Sequence, residues 1–189
     1  YFLTQPLLAL ILFVSLFSFY HLPSIFDAIK LDETTHGVFT FVLFISAMLM
    51  YWPMINKIEG QRQMKSIYKM VYIIGNAVLI TPACALIIFA DTPLYETYSN
   101  GEMWLKAMEL CVPASTLSGL SLSGPELFTN MSAVADQQVG GVLMKIIQEI
   151  IFGIILFSVF RQWWIAEKKD PDEITKQSLE DFRNRQYIQ

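Results

Sequence analysis

Charge is what this sequence has least of. Only 16% of its 189 residues are Asp, Glu, Lys or Arg, where an ordinary soluble domain has about a quarter. The shortage is concentrated: 1–26, 34–56 and 70–90 hold no charged residue at all. Histidine and cysteine are scarce too, with His21, His36, Cys84 and Cys111 the whole complement. Two thiols in a chain this long exclude a disulfide framework. No G-x-G-x-x-G, P-loop, H-E-x-x-H or C-x-x-C occurs, and no Ser–His–Asp arrangement can be read. Neither His has the setting of a catalytic base, so the chain is expected not to be an enzyme. Acidic loops and a single modest basic one speak against nucleic acid as a partner.

What is present is apolar. Residues of that kind make up 54% of the chain, 14 of them Phe and 8 Tyr. The charge-free runs, with a mixed segment near the C-terminus, give four candidate spans at about 3–20, 35–53, 70–90 and 137–163, each near the 20 or so residues that cross a bilayer core. The expected fold is all-α, a polytopic transmembrane helix bundle with four spans. The start at Tyr1 lacks a basic region and a small-residue cleavage pattern, so it is not read as a signal peptide; the chain is expected to begin part-way through a longer protein.

The loops fix an expected orientation. His21–His36 carries Asp27, Lys30, Asp32 and Glu33, and 91–136 carries Asp91, Glu96, Glu102, Glu109, Glu126 and Asp136 against Lys106 alone. The 54–69 loop holds Lys57, Arg62, Lys65 and Lys69 against Glu59, and Arg161, Lys168 and Lys169 follow the last span. By the positive-inside rule the basic loop and the C-terminus are cytoplasmic, as are both ends of the chain, and the acidic loops face outward. The basic loop also suits anionic lipid headgroups. Within the outer segment, Met103–Cys111 spaces Trp104, Met108 and Cys111 as one apolar helix face, with Glu102, Lys106 and Glu109 turned away. Leu117–Pro125 reads as irregular loop. Asp170, Pro171 and Glu173 have the spacing of a helix start, so a separate solvated helix is expected in the tail, 165–189.

The most unusual stretch is Asp136–Glu149, D-Q-Q-V-G-G-V-L-M-K-I-I-Q-E. It opens the last span with Asp136, Gln137, Gln138, Lys145, Gln148 and Glu149, while 150–160 is uncharged. Lys145 and Glu149 lie four residues apart and share a helix face, so they can offset each other; alone, each costs several kcal/mol in a membrane. Gly140 and Gly141 let a neighbour approach the backbone. Two readings stand: a polar wall of an intramembrane site, or a pair that ties helices together.

His21 and His36 close the first span and open the second, at the outer boundary, where neutral imidazoles suit copper, zinc or haem iron. Cys84 lies about two turns below the outer end of the third span, Met103, Met108 and Cys111 on the outer helix, and Met144 two turns into the fourth. Thiolate and thioether are the ligands of copper(I). The ordinary reading of each is interfacial hydrogen bonding for the histidines and packing for Cys84 and the methionines.

Four stretches together, F-Y-H-L-P-S-I-F-D-A-I, M-Y-W-P-M-I-N, I-T-P-A-C-A-L-I-I-F-A-D-T-P-L-Y and D-Q-Q-V-G-G-V-L-M-K-I-I-Q-E, resemble the CtaG family of bacterial cytochrome c oxidase assembly factors, over roughly Phe19–Trp164. The resemblance implies a multi-pass protein of the bacterial plasma membrane that assists maturation of the oxidase, usually taken as copper supply or insertion. It carries His21, His36, Asp136 and Gln137 over as polar residues of the family signature. Members often show a further His near the start of the second span, where E-T-T-H here has one. The implied cofactor is copper, held at the outer face by His21 and His36 with Cys84 or a Met such as Met144, and Asp136 tuning or receiving it. Oxidase subunits and membrane lipid are the expected partners, with a homo-oligomer possible. Rival functions are a haem-binding electron carrier or quinone oxidoreductase, and a copper or small-solute transporter.

Overall fold

The computed structural model describes residues 4–56, 64–110, 112–113 and 131–186. Every regular element among them is helical. The first helix, α1, runs Pro6–Tyr20 with Pro at its first turn, where a missing N–H costs nothing. At His21 the chain turns by 81° into α2, Pro23–Lys30. This corrects the expectation of a loop from 21 to 36. Pro23 again occupies the start of a helix, and Phe26 and Ile29, three apart on one face, are buried. The stretch is charged enough to read as loop and periodic enough to fold as helix once that face finds a core.

Helix α3 spans Glu33–Ile55, opened by Asp32, whose carboxylate accepts from the Thr35 N–H at 2.7 Å. It runs past Pro53, where a stop was expected, and ends two residues later with the Asn56 N–H on the Trp52 carbonyl at 2.9 Å. Pro53 withdraws only one bond from the last turn. Helix α4 is Ser66–Ile88, with Pro82 inside. Two short helices follow, α5 at Glu96–Ser99 and α6 at Gly101–Met108. In α6 Trp104 is buried while Glu102 and Lys106 face out, as their spacing predicts. Cys111 and the 117–125 stretch lie outside the described residues. The last helix, α7, runs unbroken over 54 residues, Ala133–Gln186, about 80 Å at the α-helical rise. The separate tail helix expected at Asp170–Pro171 is therefore a continuation: one proline removes one backbone bond, and the surrounding Glu, Lys, Gln and Arg are strong helix formers.

Among the described residues three helices are long and apolar enough to cross a membrane, Glu33–Ile55, Ser66–Ile88 and Ala133–Lys168, and α1 with α2 makes a fourth if the bent pair is one span. Helix α1 alone has 15 residues, short of a bilayer core. Phe41, Val71 and Phe157 are 65%, 66% and 67% exposed, an outward apolar surface that only lipid or another apolar helix covers. The chain is an all-α, multi-pass membrane protein. Helix α4 is central, touching α1, α3 and α7. Leu10, Phe13, Met50, Met54, Ile73, Ile80, Cys84, Phe152 and Val159 form the main core, and Phe26, Ile87 and Tyr95 a smaller one at the end where α2 and α5 sit, here called the cap end.

Candidate functional site

The D-Q-Q-V-G-G stretch begins α7 and lies against the end of α4. A helix that stops inside a low-dielectric region leaves its last carbonyls without partners. Here glutamines supply them. The Gln137 amide donates to the Ile87 carbonyl at 3.5 Å and its oxygen accepts the Leu94 N–H at 2.8 Å. Gln138 donates to the Ala90 carbonyl at 3.0 Å. One turn on, Gly141 packs tightly against α4: a Cβ there would sit 3.0 Å from side-chain carbons of both Ile87 and Ile88. At Gly140 a Cβ would meet nothing within 4 Å, so of the two adjacent glycines only the second is required by packing.

The same seam continues downward to Pro82. Proline gives no N–H to Val78, and its ring crowds that carbonyl, opening the helix ladder at this level. The adjoining Ala77 carbonyl collects side-chain donors instead: the Thr81 hydroxyl at 2.7 Å and the Gln148 amide at 3.4 Å. The Thr81 oxygen in turn accepts from the Lys145 ammonium at 2.7 Å, and Lys145 pairs with Glu149 at 2.6 Å. Glu149, Lys145, Thr81 and Ala77 thus form one chain of polar contacts across the two helices, at the midpoint of α4. Lys145 is a tie between α7 and α4 as well as the partner of Glu149. Cys84 is 1% exposed, and its thiol points to the Gln148 oxygen at 3.8 Å.

The cap end is built differently. The Asp27 carboxylate on α2 accepts the backbone N–H groups of Glu96 and Thr97, each at 3.0 Å, and the Thr97 hydroxyl. Tyr95, 3% exposed, donates to the His21 carbonyl at 3.1 Å, and burial, with the Asp27 charge nearby, pushes its phenol up to about 12. The His21 ring is 8% exposed and packs on Phe17 and Tyr20. Its Nδ1 lies 2.6 Å from the Phe17 carbonyl, which only accepts, so Nδ1 carries the proton and Nε2 the lone pair. Burial lowers the pKa of this ring, against the Phe17 carbonyl, which raises it. His36 lies on the first turn of α3, and its buried Nδ1 meets no hydrogen-bond partner among the described residues.

The residues singled out by sequence therefore fall into two groups. His21 and His36 are at the cap end, on either side of α2, with no hydrogen bond between the rings. Gln137, Lys145, Gln148, Glu149 and Cys84 line the α4–α7 seam. Met144 packs against both cores and joins the groups. Asp136 sits in the first turn of α7, where an acid suits the helix dipole. Among the described residues no three His, Cys, Asp or Glu side chains are placed to hold one metal ion. A closed resident metal centre does not fit them. Sequence reasoning missed Asp27, Tyr95 and Thr97, whose pairings join residues about seventy apart and leave no local pattern.

With that geometry in place, comparison with known proteins adds one result. The family model for the cytochrome c oxidase caa3 assembly factor matches residues 1–166, and the chain belongs to that family. No curated protein and no solved structure matches it.

Proposed function

We propose that this member of the oxidase assembly family acts as a non-catalytic binder that holds copper transiently, as cargo, at the cap end, and that this end faces outward. One observation carries the reading. His21 is fixed in a single tautomer by the Phe17 carbonyl, which leaves an imidazole lone pair on Nε2, and the second histidine opens α3 on the other side of α2. Neutral imidazole accepts both copper states, and burial favours the neutral form. Two donors suit a metal that must be passed on, because fewer bonds have to break on transfer. Below, Met144 and Cys84 offer softer atoms, and Asp136 a negative charge, along the route from cap to seam. The outward orientation rests on Lys and Arg distribution.

The test is the metal content and optical spectrum of the detergent-purified full-length protein and of a His21→Ala/His36→Ala variant after copper(I) loading. Copper bound by the first and lost from the second is the expected result. No copper on either protein would overturn the ligand assignment, and a Soret band would favour a haem carrier.

A further inference from the structure

Arg161 is a cation at the end of the apolar part of α7 with no carboxylate to meet. Residues 150–166 hold no acid, and Arg161 makes no ion pair among the described residues. Its depth follows from the antiparallel register of α7 on α4. Gln138 meets Ala90, Lys145 meets Thr81 and Gln148 meets Ala77. Continued at the same step, Arg161 is level with the start of α4 at Ser66, the boundary where that span enters the bilayer. Arg161 also closes a stripe. Phe152 and Val159, on the α4 side of α7, are buried, while Ile150, Ile154 and Phe157 are exposed on the opposite side. Their i, i+4, i+7 spacing is continued by Arg161 and then by Trp164 and Lys168, all exposed. Lys168 is folded back toward Arg161, its ammonium 5.0 Å from the centre of the Trp164 ring, in the direction that side chains lean on a helix. Two cations and an indole thus stand at one boundary of the bilayer, above about 10 Å of apolar helix surface.

We infer that this stripe binds one anionic phospholipid, its phosphate held between Arg161 and Lys168 beside the Trp164 indole and an acyl chain laid along Phe157, Ile154 and Ile150. A guanidinium matches a phosphodiester with two parallel hydrogen bonds, and an ammonium adds a second, less directional charge. An indole, apolar in body with one N–H, suits the level between chain and headgroup. Other occupants fit less well. A zwitterionic lipid brings a cation of its own to two cations. A second copy of the same topology, related by an axis along the membrane normal, sets Arg161 against Arg161 and Lys168 against Lys168 with no acid on the stripe between them. A partner helix approaches closely over small residues, and this stripe is Ile, Phe and Trp, which an acyl chain follows without that requirement. Because α7 runs unbroken from Ala133 past Lys168, a headgroup held there sets the depth of the whole helix, the Lys145–Glu149 pair included.

The experiment is native mass spectrometry of the full-length protein, stripped of lipid in a neutral detergent and titrated with phosphatidylglycerol or with phosphatidylcholine of the same acyl chains. The wild type should hold one phosphatidylglycerol about tenfold more tightly than phosphatidylcholine. Arg161→Gln/Lys168→Gln should bring that ratio to about one, with the melting temperature before lipid addition unchanged because both side chains are exposed. Lys168→Gln alone should lower it about threefold. Lys57→Gln/Arg62→Gln removes the same charge from the basic 54–69 segment and should leave the ratio at about ten, which separates a site on α7 from attraction by net charge. A ratio near one in the wild type, a ratio of about ten kept by Arg161→Gln/Lys168→Gln, or an equal fall in the 54–69 variant would overturn the inference. So would a dimer or a bound polypeptide in the wild type that is lost on Phe157→Arg, which would put protein on the stripe in place of lipid.

Discussion

The paired glycines at the head of α7 give the sharpest prediction. Gly140 and Gly141 have the same chemistry and adjacent positions, but a Cβ on Gly141 would lie 3.0 Å from Ile87 Cγ2 and Ile88 Cγ1, and 3.3 Å from Ile87 Cβ, while one on Gly140 has open space. Gly141→Ala must therefore push the isoleucines aside by several tenths of an ångström, and Ile87 is 6% exposed in the cap core with little room to give. Overpacking of this kind costs about 1–3 kcal/mol. The displacement also lengthens the Gln137 and Gln138 bonds to the Ile87 and Ala90 carbonyls, each worth about 0.6 kcal/mol in a membrane protein. Together Gly141→Ala should destabilise by about 2 kcal/mol, and Gly141→Leu by more. Gly140→Ala should be neutral or stabilising by up to about 1 kcal/mol, because alanine is the better helix former. Reversible unfolding by SDS in mixed micelles, followed by tryptophan fluorescence, reads the difference. Equal effects at the two positions would refute the close approach of α4 and α7 at this turn.

Three further outcomes follow from the cap end. Asp27→Ala removes the acceptor of two backbone N–H groups and a hydroxyl; hydrogen exchange at Glu96 and Thr97 should speed up by about 2 kcal/mol of lost protection, with the exchange of α4 unchanged. Tyr95→Phe should cost about 1 kcal/mol through loss of its bond to the His21 carbonyl, and ultraviolet titration of the folded protein should lose a phenol that ionises near 12. Burial holds His21 below its ordinary 6.5. The stability it contributes is thus complete above pH 6.5 and is lost as pH falls through the lower folded value. The melting temperature should fall as pH drops below 6.5, and less steeply in His21→Asn.

The bundle was legible in the sequence because lipid imposes the coarsest of patterns: runs without charge must be spans. The polar face of α7 was legible for the same reason, since Gln137, Lys145, Gln148 and Glu149 are conspicuous on an apolar helix. What that face touches was not. Its partners are largely carbonyls of α4 and one hydroxyl, Thr81, and a carbonyl has no letter in the sequence. Pro82 was the available clue, because a proline inside a span marks carbonyls that another helix must serve. Helix α2 went unread because its eight residues carry too many charges for a span and too few turns for a secure period. The tail helix was misplaced because a strong start signal at Asp170–Pro171 is only a local preference, and a helix already running from Ala133 does not need a new nucleus. The distinction between Gly140 and Gly141 is a matter of facing, fixed only when α4 is set beside α7.

The central claim, that the cap-end histidines handle copper for the oxidase, is tested most directly by the copper content of the oxidase itself. The oxidase is purified from cells carrying either the wild-type protein or the His21→Ala/His36→Ala variant, at limiting and at excess copper. The account predicts an oxidase depleted of copper in the variant at limiting copper, restored by excess, with the variant protein still present in the membrane. A fully copper-loaded oxidase in the variant at limiting copper would contradict it.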